Sequence, residues 1–507
     1  MFRGSGELRQ YNRSMQTTAL YTVAQVRAFD RAAIDTRGIA GYELMQRAAA
    51  AAFAHLRTRW PQARRIVALC GSGNNGGDGY VLARLALAAG FDASAIAAEP
   101  VRAGGDAARA HAGWIEAGGC TLEPGSSLPE ADVYVDALFG TGLARAPQGG
   151  ALALIEQVNG AKPPTLALDV PSGVDADTGN VPGSAVHAAA TITFVARKRG
   201  LFTGAARDHC GEVVLDDLAI PAAVFAGVRA DAGLLEADAV AASLPPRPPN
   251  AHKGNFGHVL AIGGDLGFGG AIRLAGEAAL RAGAGLVSVA TRAEHVGALN
   301  AARPELMACG VAGPQELDAL PQRASVIALG PGLGQRAWGH ALWRSAIAAG
   351  KPIVLDADGL NLLARDRLSL PAGTVLTPHP GEAARLLECD TRTIAADRFA
   401  AVRELARRHQ CVCVLKGAGT VVASPHGEVA VCPWGNPGMA SGGMGDVLTG
   451  VIAGLLAQGL DSYDAACIGV ALHARAGDVA AREGQSGLLA SDLFAPLRAL
   501  RNRALET

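Results

Sequence analysis

Arg65-Ile66-Val67-Ala68-Leu69-Cys70 runs through Gly71-Ser72-Gly73 into Asn74-Asn75-Gly76-Gly77-Asp78-Gly79, and a helical pattern over Gly79–Ala89 follows. A short apolar run that ends in glycine and opens a helix reads as a doubly covered strand, the building unit of a parallel sheet. Backbone N–H groups at such a helix start form an anion site, and an aspartate beside them can hold a cation or take a proton. The spacing is neither a dinucleotide GxGxxG nor a Walker loop, which would end in Gly-Lys-Ser/Thr. A second cluster, Ser441-Gly442-Gly443-Met444-Gly445-Asp446, opens an apolar helix running to Ala457. Two such clusters on one chain suggest two sites.

The strand–loop–helix pattern repeats outward from the first cluster. Thr22–His55 reads as helix, turn, helix. Strands are expected at Ala131–Phe139, ending in Gly140-Thr141-Gly142, at Pro164–Val170, ending in Pro171-Ser172-Gly173, and at Ala190–Val195. Ligands of parallel sheets sit beyond the carboxyl ends of the strands, where Asp136 and Asp169 fall. Leu244–Asn250 holds four prolines and predicts a stiff linker. A second series follows, with strands at His258–Ile262, Val326–Leu329, Pro352–Leu355, Thr374–Leu376 and Val412–Leu415, and a hairpin from Thr420–Ala423 and Glu428–Val431. The fold class is α/β: two three-layer α/β/α domains at 17–226 and 250–503, joined by a linker at 227–249.

Composition narrows the function. The 507 residues are 50% hydrophobic and 18% charged, enough apolar material for large cores. A net charge of -1 leaves no basic field for nucleic acid. The nine cysteines lack zinc spacing, and Cys411 and Cys413 point to one face of a strand as buried thiols. Residues 1–16 are polar and lack the apolar core of a secretory signal; they are an extension, or Met15 is the start. Apolar helices are interrupted by charge before membrane-spanning length. A cytoplasmic protein without a membrane partner is expected.

The amides at Gly442–Gly445 can surround a developing negative charge, with Asp446 next to the reacting group. These residues resemble the GxGD loop of the ribokinase superfamily. His252–His258, Gly263-Gly264, Arg281–Gly285, Gly330-Pro331-Gly332-Leu333-Gly334, Thr377-Pro378-His379-Pro380, Lys416-Gly417 and Asn436-Pro437-Gly438 narrow the resemblance to the NAD(P)H-hydrate dehydratases, over about residues 250–500. The resemblance implies a ribokinase-like domain that uses ADP with Mg²⁺ to phosphorylate the hydroxyl of a hydrated nicotinamide ring, then expels phosphate to restore NAD(P)H and leaves AMP. Hydroxide is a poor leaving group at neutral pH and a phosphate ester a good one. By this resemblance Asp446 is the base, and Gly442, Gly443 and Gly445 form the anion hole. Ala271, Gly332 and His379 line the hydrate site; Lys416, Gly417, Ala418, Gly419, Thr420 and Gly445 meet the nucleotide. Asp356, Asp358 and Asn361 either organise Mg²⁺ through water or shape a turn.

The first half resembles the NAD(P)H-hydrate epimerases, over about residues 20–220. The motifs are Leu44-Met45, Gly73–Gly79, Val135–Gly142, Leu168–Gly173 and Thr193-Phe194 with Lys198. One departure is Ala49, where that family often has glycine. The resemblance implies a Rossmann-like epimerase domain with K⁺ held by Asn75, Asp136 and Ser172. The hydrate would lie against Asn74, Asn75, Gly76, Gly77, Asp78, Gly140, Thr141, Gly142, Leu143, Ala144, Arg145, Ala146 and Asp169. The reaction interconverts R and S hydrates at ring carbon six, and Asp169 either shuttles the proton or holds a sugar hydroxyl.

The combined expectation is a bifunctional repair enzyme for hydrated NADH and NADPH, with small-molecule substrates and a homo-oligomeric state. Two alternatives stand beside it: a ribokinase-like vitamin or sugar kinase, and a first half reduced to a ligand-binding or partner-binding module.

Overall fold

The apolar runs that end in glycine become buried strands of two sheets in the computed structural model, which describes residues 17–123, 125–142, 145–244 and 246–502. The first sheet runs in the order Thr121–Leu122, Asp92–Ala97, Arg65–Cys70, Val133–Ala137, Thr165–Leu168, Ala190–Phe194, Glu212–Asp216. Every neighbouring pair is parallel. Side-chain alternation splits its faces: Ile66, Ala68 and Cys70 pack under the helices Val23–Arg37, Gly41–Arg59 and Asn74–Ala88, while Val67 and Leu69 pack with Gly149–Gly160 on the other face. Ala49, the family departure, is fully buried in the second of those helices.

The second sheet has 11 strands. Its parallel centre is Val412–Leu415, Val375–Leu376, Ile353–Leu355, Val326–Leu329, His258–Ile262, Leu286–Thr291 and Met307–Gly310. Val259 and Ala261 face one core, with the Met444–Ala457 and Ser462–Ala480 helices; Leu260 and Ile262 face the other. Both sheets reverse their strand order once. The chain leaves Arg65–Cys70 toward one edge and returns at Val133–Ala137, and it leaves His258–Ile262 and returns at Val326–Leu329. Such a switch point opens a crevice at the carboxyl strand ends.

Two expectations need correction. The helix predicted from Gly79 begins at Asn74, so the first glycine cluster is its opening turns and not a loop before it. Its glycines serve close approach: a Cβ would lie 1.9 Å from the Gly71 carbonyl oxygen at Gly76, 2.5 Å from Met45 Cε at Gly77 and 2.6 Å from Ala137 Cβ at Gly79. Packing against the sheet outweighs glycine's poor helix propensity. The expected linker also carries structure. Ala232–Leu235 is a strand, antiparallel to Thr17–Leu20 and parallel to Val429–Val431, and the helix Ala237–Ala242 follows. The first described strand of the chain, placed by sequence in the first domain, therefore lies at the edge of the second sheet. A four-residue run carries too little periodicity to show this.

The segment Arg199–Asp208 and the second domain are in contact. Arg199 Nη1 and Arg403 Nη2 both donate to Asp231 Oδ2, at 2.6 and 2.9 Å, and Arg207 Nη2 donates to the Pro433 carbonyl at 3.1 Å. Among the described residues no helix is long and apolar enough to cross a membrane.

Candidate active site

Asn75, Gly140 and Asp169 converge at the first switch point. A Cβ on Gly140 would lie 3.1 Å from Asp169 Oδ2 and 3.3 Å from Asn75 Oδ1, so glycine leaves that space open. Asp169 follows the Thr165–Leu168 strand with φ of 67°, a left-handed conformation uncommon outside glycine. Its Oδ1 accepts from Lys198 Nζ, and that ammonium also donates to the Phe194 carbonyl at 2.7 Å and to Thr193 Oγ1 at 3.0 Å. Lys198 is 1% exposed. Oδ1 is thus tied down and Oδ2 faces the opening. Burial, with Asp169 and Asp30 adding to it, holds the Asp78 carboxyl well above the usual range; burial also raises Asp30, against the pull of Lys198. Carboxyls crowded together resist ionising together.

Asp136 and Ser172 are joined beside this crevice. Asp136 is fully buried; its Oδ2 accepts from Ser172 N at 2.7 Å, and its Oδ1 from Ser172 Oγ at 2.6 Å and Leu138 N at 3.2 Å. Burial pushes the carboxyl up to about 6 despite these bonds. Ser172 Oγ accepts from Phe139 N at 2.8 Å, adjoining the Gly140 turn that Asn75 reaches. Asn75 Nδ2 is buried with no protein partner. Arg27 Nη2 donates to the Thr141 carbonyl at 3.0 Å and tethers the turn. Asn74 and Arg145 are exposed, and Ala146 packs toward Gly183. Leu143 and Ala144 lie outside the described residues.

At the second site Gly443 takes a left-handed φ of 91° and delivers the chain into the Met444–Ala457 helix, which puts Asp446 in its first turn. A Cβ on Gly445 would lie 3.4 Å from both Asp356 Oδ2 and Lys416 Nζ. Lys416 Nζ donates to Asp356 Oδ1 at 2.6 Å and stands 3.7 Å from Glu382 Oε2; Thr449 Oγ1 donates to Asp356 Oδ2 at 2.8 Å. Burial, reinforced by Asp356 and opposed by Lys416, pushes Asp446 up to about 7. Glu382 is likewise pushed up to about 7, chiefly by burial. Burial would depress Lys416, but Asp356 and Glu382 hold it above its ordinary value.

Ala271 and Gly332 meet at the second switch point, where a Gly332 Cβ would stand 3.2 Å from Ala271 Cβ. His379 caps the Pro380–Leu387 helix, its Nδ1 accepting from Gly381 N at 2.9 Å, and its ring remains about half exposed. Burial, then Lys416 and Arg385, lowers its pKa and favours the neutral ring. Asp358 accepts from Gly334 N at 2.9 Å and Gln335 Nε2 at 3.0 Å, while Asn361 Oδ1 accepts from Arg385 Nη1 at 2.8 Å. These two residues shape the loop, and Asp356 turns to Lys416. Among the described residues no group of three His, Cys, Asp or Glu side chains is placed to hold a metal.

Residues 259–498 match the family described as NAD(P)H-hydrate dehydratase, and residues 41–200 the one described as YjeF-related protein N-terminus. The bifunctional NAD(P)H-hydrate repair enzyme of Coxiella burnetii is 48% identical over 489 residues, spanning 96% of this chain and 100% of that protein. The chain belongs to the bifunctional NAD(P)H-hydrate repair enzyme family. The Escherichia coli member is 46% identical over 480 residues, with 94% and 93% covered. A crystal structure of a ribokinase-like superfamily protein from Enterococcus faecalis is 31% identical, covering 54% of this chain and 97% of that one at a TM-score of 0.51.

Several polar residues at the two sites of this family member escaped the sequence reading. Asp30 sits mid-helix, where an aspartate reads as a solvated face. Glu382 and Thr449 are likewise helical positions whose polar neighbours are distant in sequence. Lys198 carried a motif signal but no role. Phe268, 60% exposed, adjoins Gly332 and adds an apolar edge to the expected hydrate side.

Proposed function

We propose that the chain repairs hydrated NADH and NADPH, the first site equilibrating the R and S epimers and the second dehydrating one of them at the expense of ADP. The placement of Asp446 carries this reading: a carboxyl with a pKa near 7, beside the half-buried Lys416 and at a glycine-led helix start. A general base works best when its pKa lies near the operating pH.

At the second site Asp446 takes the proton of the ring hydroxyl as its oxygen attacks the β-phosphorus of ADP; the P–O bond to AMP breaks. Lys416 and the Gly442–Gly445 amides steady the charge on the transferred group. The C6–O bond then breaks, phosphate leaves with the electron pair, and loss of the C5 proton restores the ring double bond. Ala271, Gly332 and His379 belong to the hydrate side, and Lys416–Thr420 to the nucleotide side. Mg²⁺ carried by the nucleotide would supply further positive charge for the transferred group, and Asp356, beside Lys416, is the residue that would approach it, through water.

At the first site, loss of the C6 hydroxyl is driven by the ring nitrogen lone pair, and water returns to either face. Asp169 Oδ2, oriented by the Lys198 bond to Oδ1, moves the proton. Asn74–Asp78, Gly140–Thr141–Gly142, Arg145 and Ala146 line the hydrate's approach. Asp136, Ser172 and Asn75 suit K⁺ through their oxygens: a fully buried carboxylate partnered only by dipoles is expensive unless a cation compensates, while the unpartnered Asn75 Nδ2 is left to donate to the hydrate. K⁺ held there would supply a positive charge that stabilises the Asp136 carboxylate.

Chiral chromatography of hydrated NADH and NADPH, incubated with the protein alone and with ADP or ATP, tests the reading. Epimer equilibration without nucleotide and full conversion to NAD(P)H with it are expected. Unchanged hydrates, or phosphorylation of a vitamin or sugar instead, would overturn it.

A further inference from the structure

The loop Lys416–Thr420 leaves its strand through two left-handed glycines, Gly417 at φ 134° and Gly419 at φ 61°. A loop of this kind is free to move unless something outside it fixes its carbonyls. The fixing groups come largely from the first domain. Gly204 N donates to the Ala418 carbonyl at 3.0 Å, and Thr203 Oγ1 donates to the Gly419 carbonyl at 2.5 Å. Gly419 is pressed so close that a Cβ there would stand 1.9 Å from the Phe202 carbonyl oxygen.

Arg398 completes the brace from beneath. Its Nε donates to Thr203 Oγ1 at 2.9 Å, and its Nη2 donates to the Leu415 and Lys416 carbonyls at 3.1 and 3.3 Å. Thr203 has no solvent exposure and Arg398 has 5%. The hydroxyl spends its single proton on Gly419 and accepts from Arg398, which fixes its direction. The guanidinium's bonds in this brace go to carbonyls and a hydroxyl, and burial pushes its pKa down to about 10. Charge buried against neutral groups is costly. Lys416, at the head of the loop, points the other way to Asp356 in the reaction centre.

We propose that Thr203, from the first domain, and Arg398 are positioning residues that hold the Lys416–Thr420 loop in its nucleotide-binding shape, so that the first domain sets the second site's affinity for ADP. The proposal rests on the reading of that loop as the nucleotide contact.

Thr203→Val in the full chain keeps the shape and removes the hydroxyl. It is expected to raise KM for ADP about tenfold, the usual loss for a buried hydrogen-bond pair. The dehydratase kcat, KM for the hydrate and the epimerisation rate should stay within about twofold. Thr203→Ser should restore KM for ADP, which a mere packing role would not predict. Arg398→Lys, which keeps charge and loses the fork, should act in the same direction and serves if Thr203→Val does not fold. Gly417→Val tests the loop itself. If it raises KM for ADP while folded Thr203→Val and Arg398→Lys do not, the brace is refuted and the loop assignment survives. If Gly417→Val leaves KM for ADP unchanged, the loop assignment fails and the brace with it. A fall in kcat matching the rise in KM, unrescued by serine, would also overturn the proposal.

Discussion

The first site holds a buried lysine, Lys198, against a strand-end aspartate, Asp169, with a further carboxyl, Asp78, raised by burial. The second holds Lys416 against Asp356, with Asp446 raised by burial. The two differ in where the spare carboxyl stands. Asp78 lies inside a helix whose glycines serve packing, and the free oxygen at the opening belongs to Asp169. Asp446 stands just past a left-handed glycine, and there the ion pair lies beside the raised carboxyl. On the proposed function, the same charges would serve proton shuttling at a ring in one place and phosphoryl transfer in the other.

Substituting the two aspartates is the strongest way to break this comparison. Asp446→Asn should lower dehydration by about 10²–10⁴, the usual contribution of a general base, with epimerisation intact. Coupled NADH formation from the S hydrate measures it, and activity within about tenfold of the parent removes Asp446 from the role. Asp169→Asn should lower epimerisation by about 10² or more and spare dehydration of the S hydrate. A variant that binds the hydrate and epimerises at the parent rate would exclude the shuttle.

A pH profile sharpens the contrast. The Asp446 base must be ionised, so dehydratase kcat/KM should be level above about 7 and fall below it. Each further pH unit should cost about tenfold, with Glu382 steepening the limb. The sign is opposite for stability. Carboxyls raised on folding stabilise at low pH, and that contribution fades as pH rises through their folded values. The smallest effect is expected at Asp136. Exchanging K⁺ for choline should lower the melting temperature at pH 8 and hardly change it at pH 5, because the carboxyl is protonated below about 6. Equal melting in both salts at pH 8 would count against the K⁺ site.

The glycine-ended strands at Arg65–Cys70, His258–Ile262, Val326–Leu329 and Val412–Leu415 were legible to the residue, because a buried parallel strand is a short apolar run with clear punctuation. The helix at Asn74 was not, since glycines chosen for close packing look like a loop. Nor was the strand Ala232–Leu235, which exists because Thr17–Leu20 and Val429–Val431 flank it. Asp446, Lys416 and Asp169 announced themselves by their glycine or proline company. Asp30, Glu382 and Thr449 did not, because a polar residue in a helix gains its meaning from a neighbour the helix meets only in space.

The sequence alone determined that the chain is α/β, that it carries two glycine–aspartate clusters, and which motifs sit at strand ends; periodicity and turn chemistry are local. Only the tertiary structure decided that Lys198 and Lys416 each pair with an aspartate, that the first described strand belongs to the second sheet, and that Thr203 reaches across to the Gly419 carbonyl. Those facts depend on groups far apart along the chain and brought together by burial, which fixes partners and shifts pKa values in ways that local pattern does not encode.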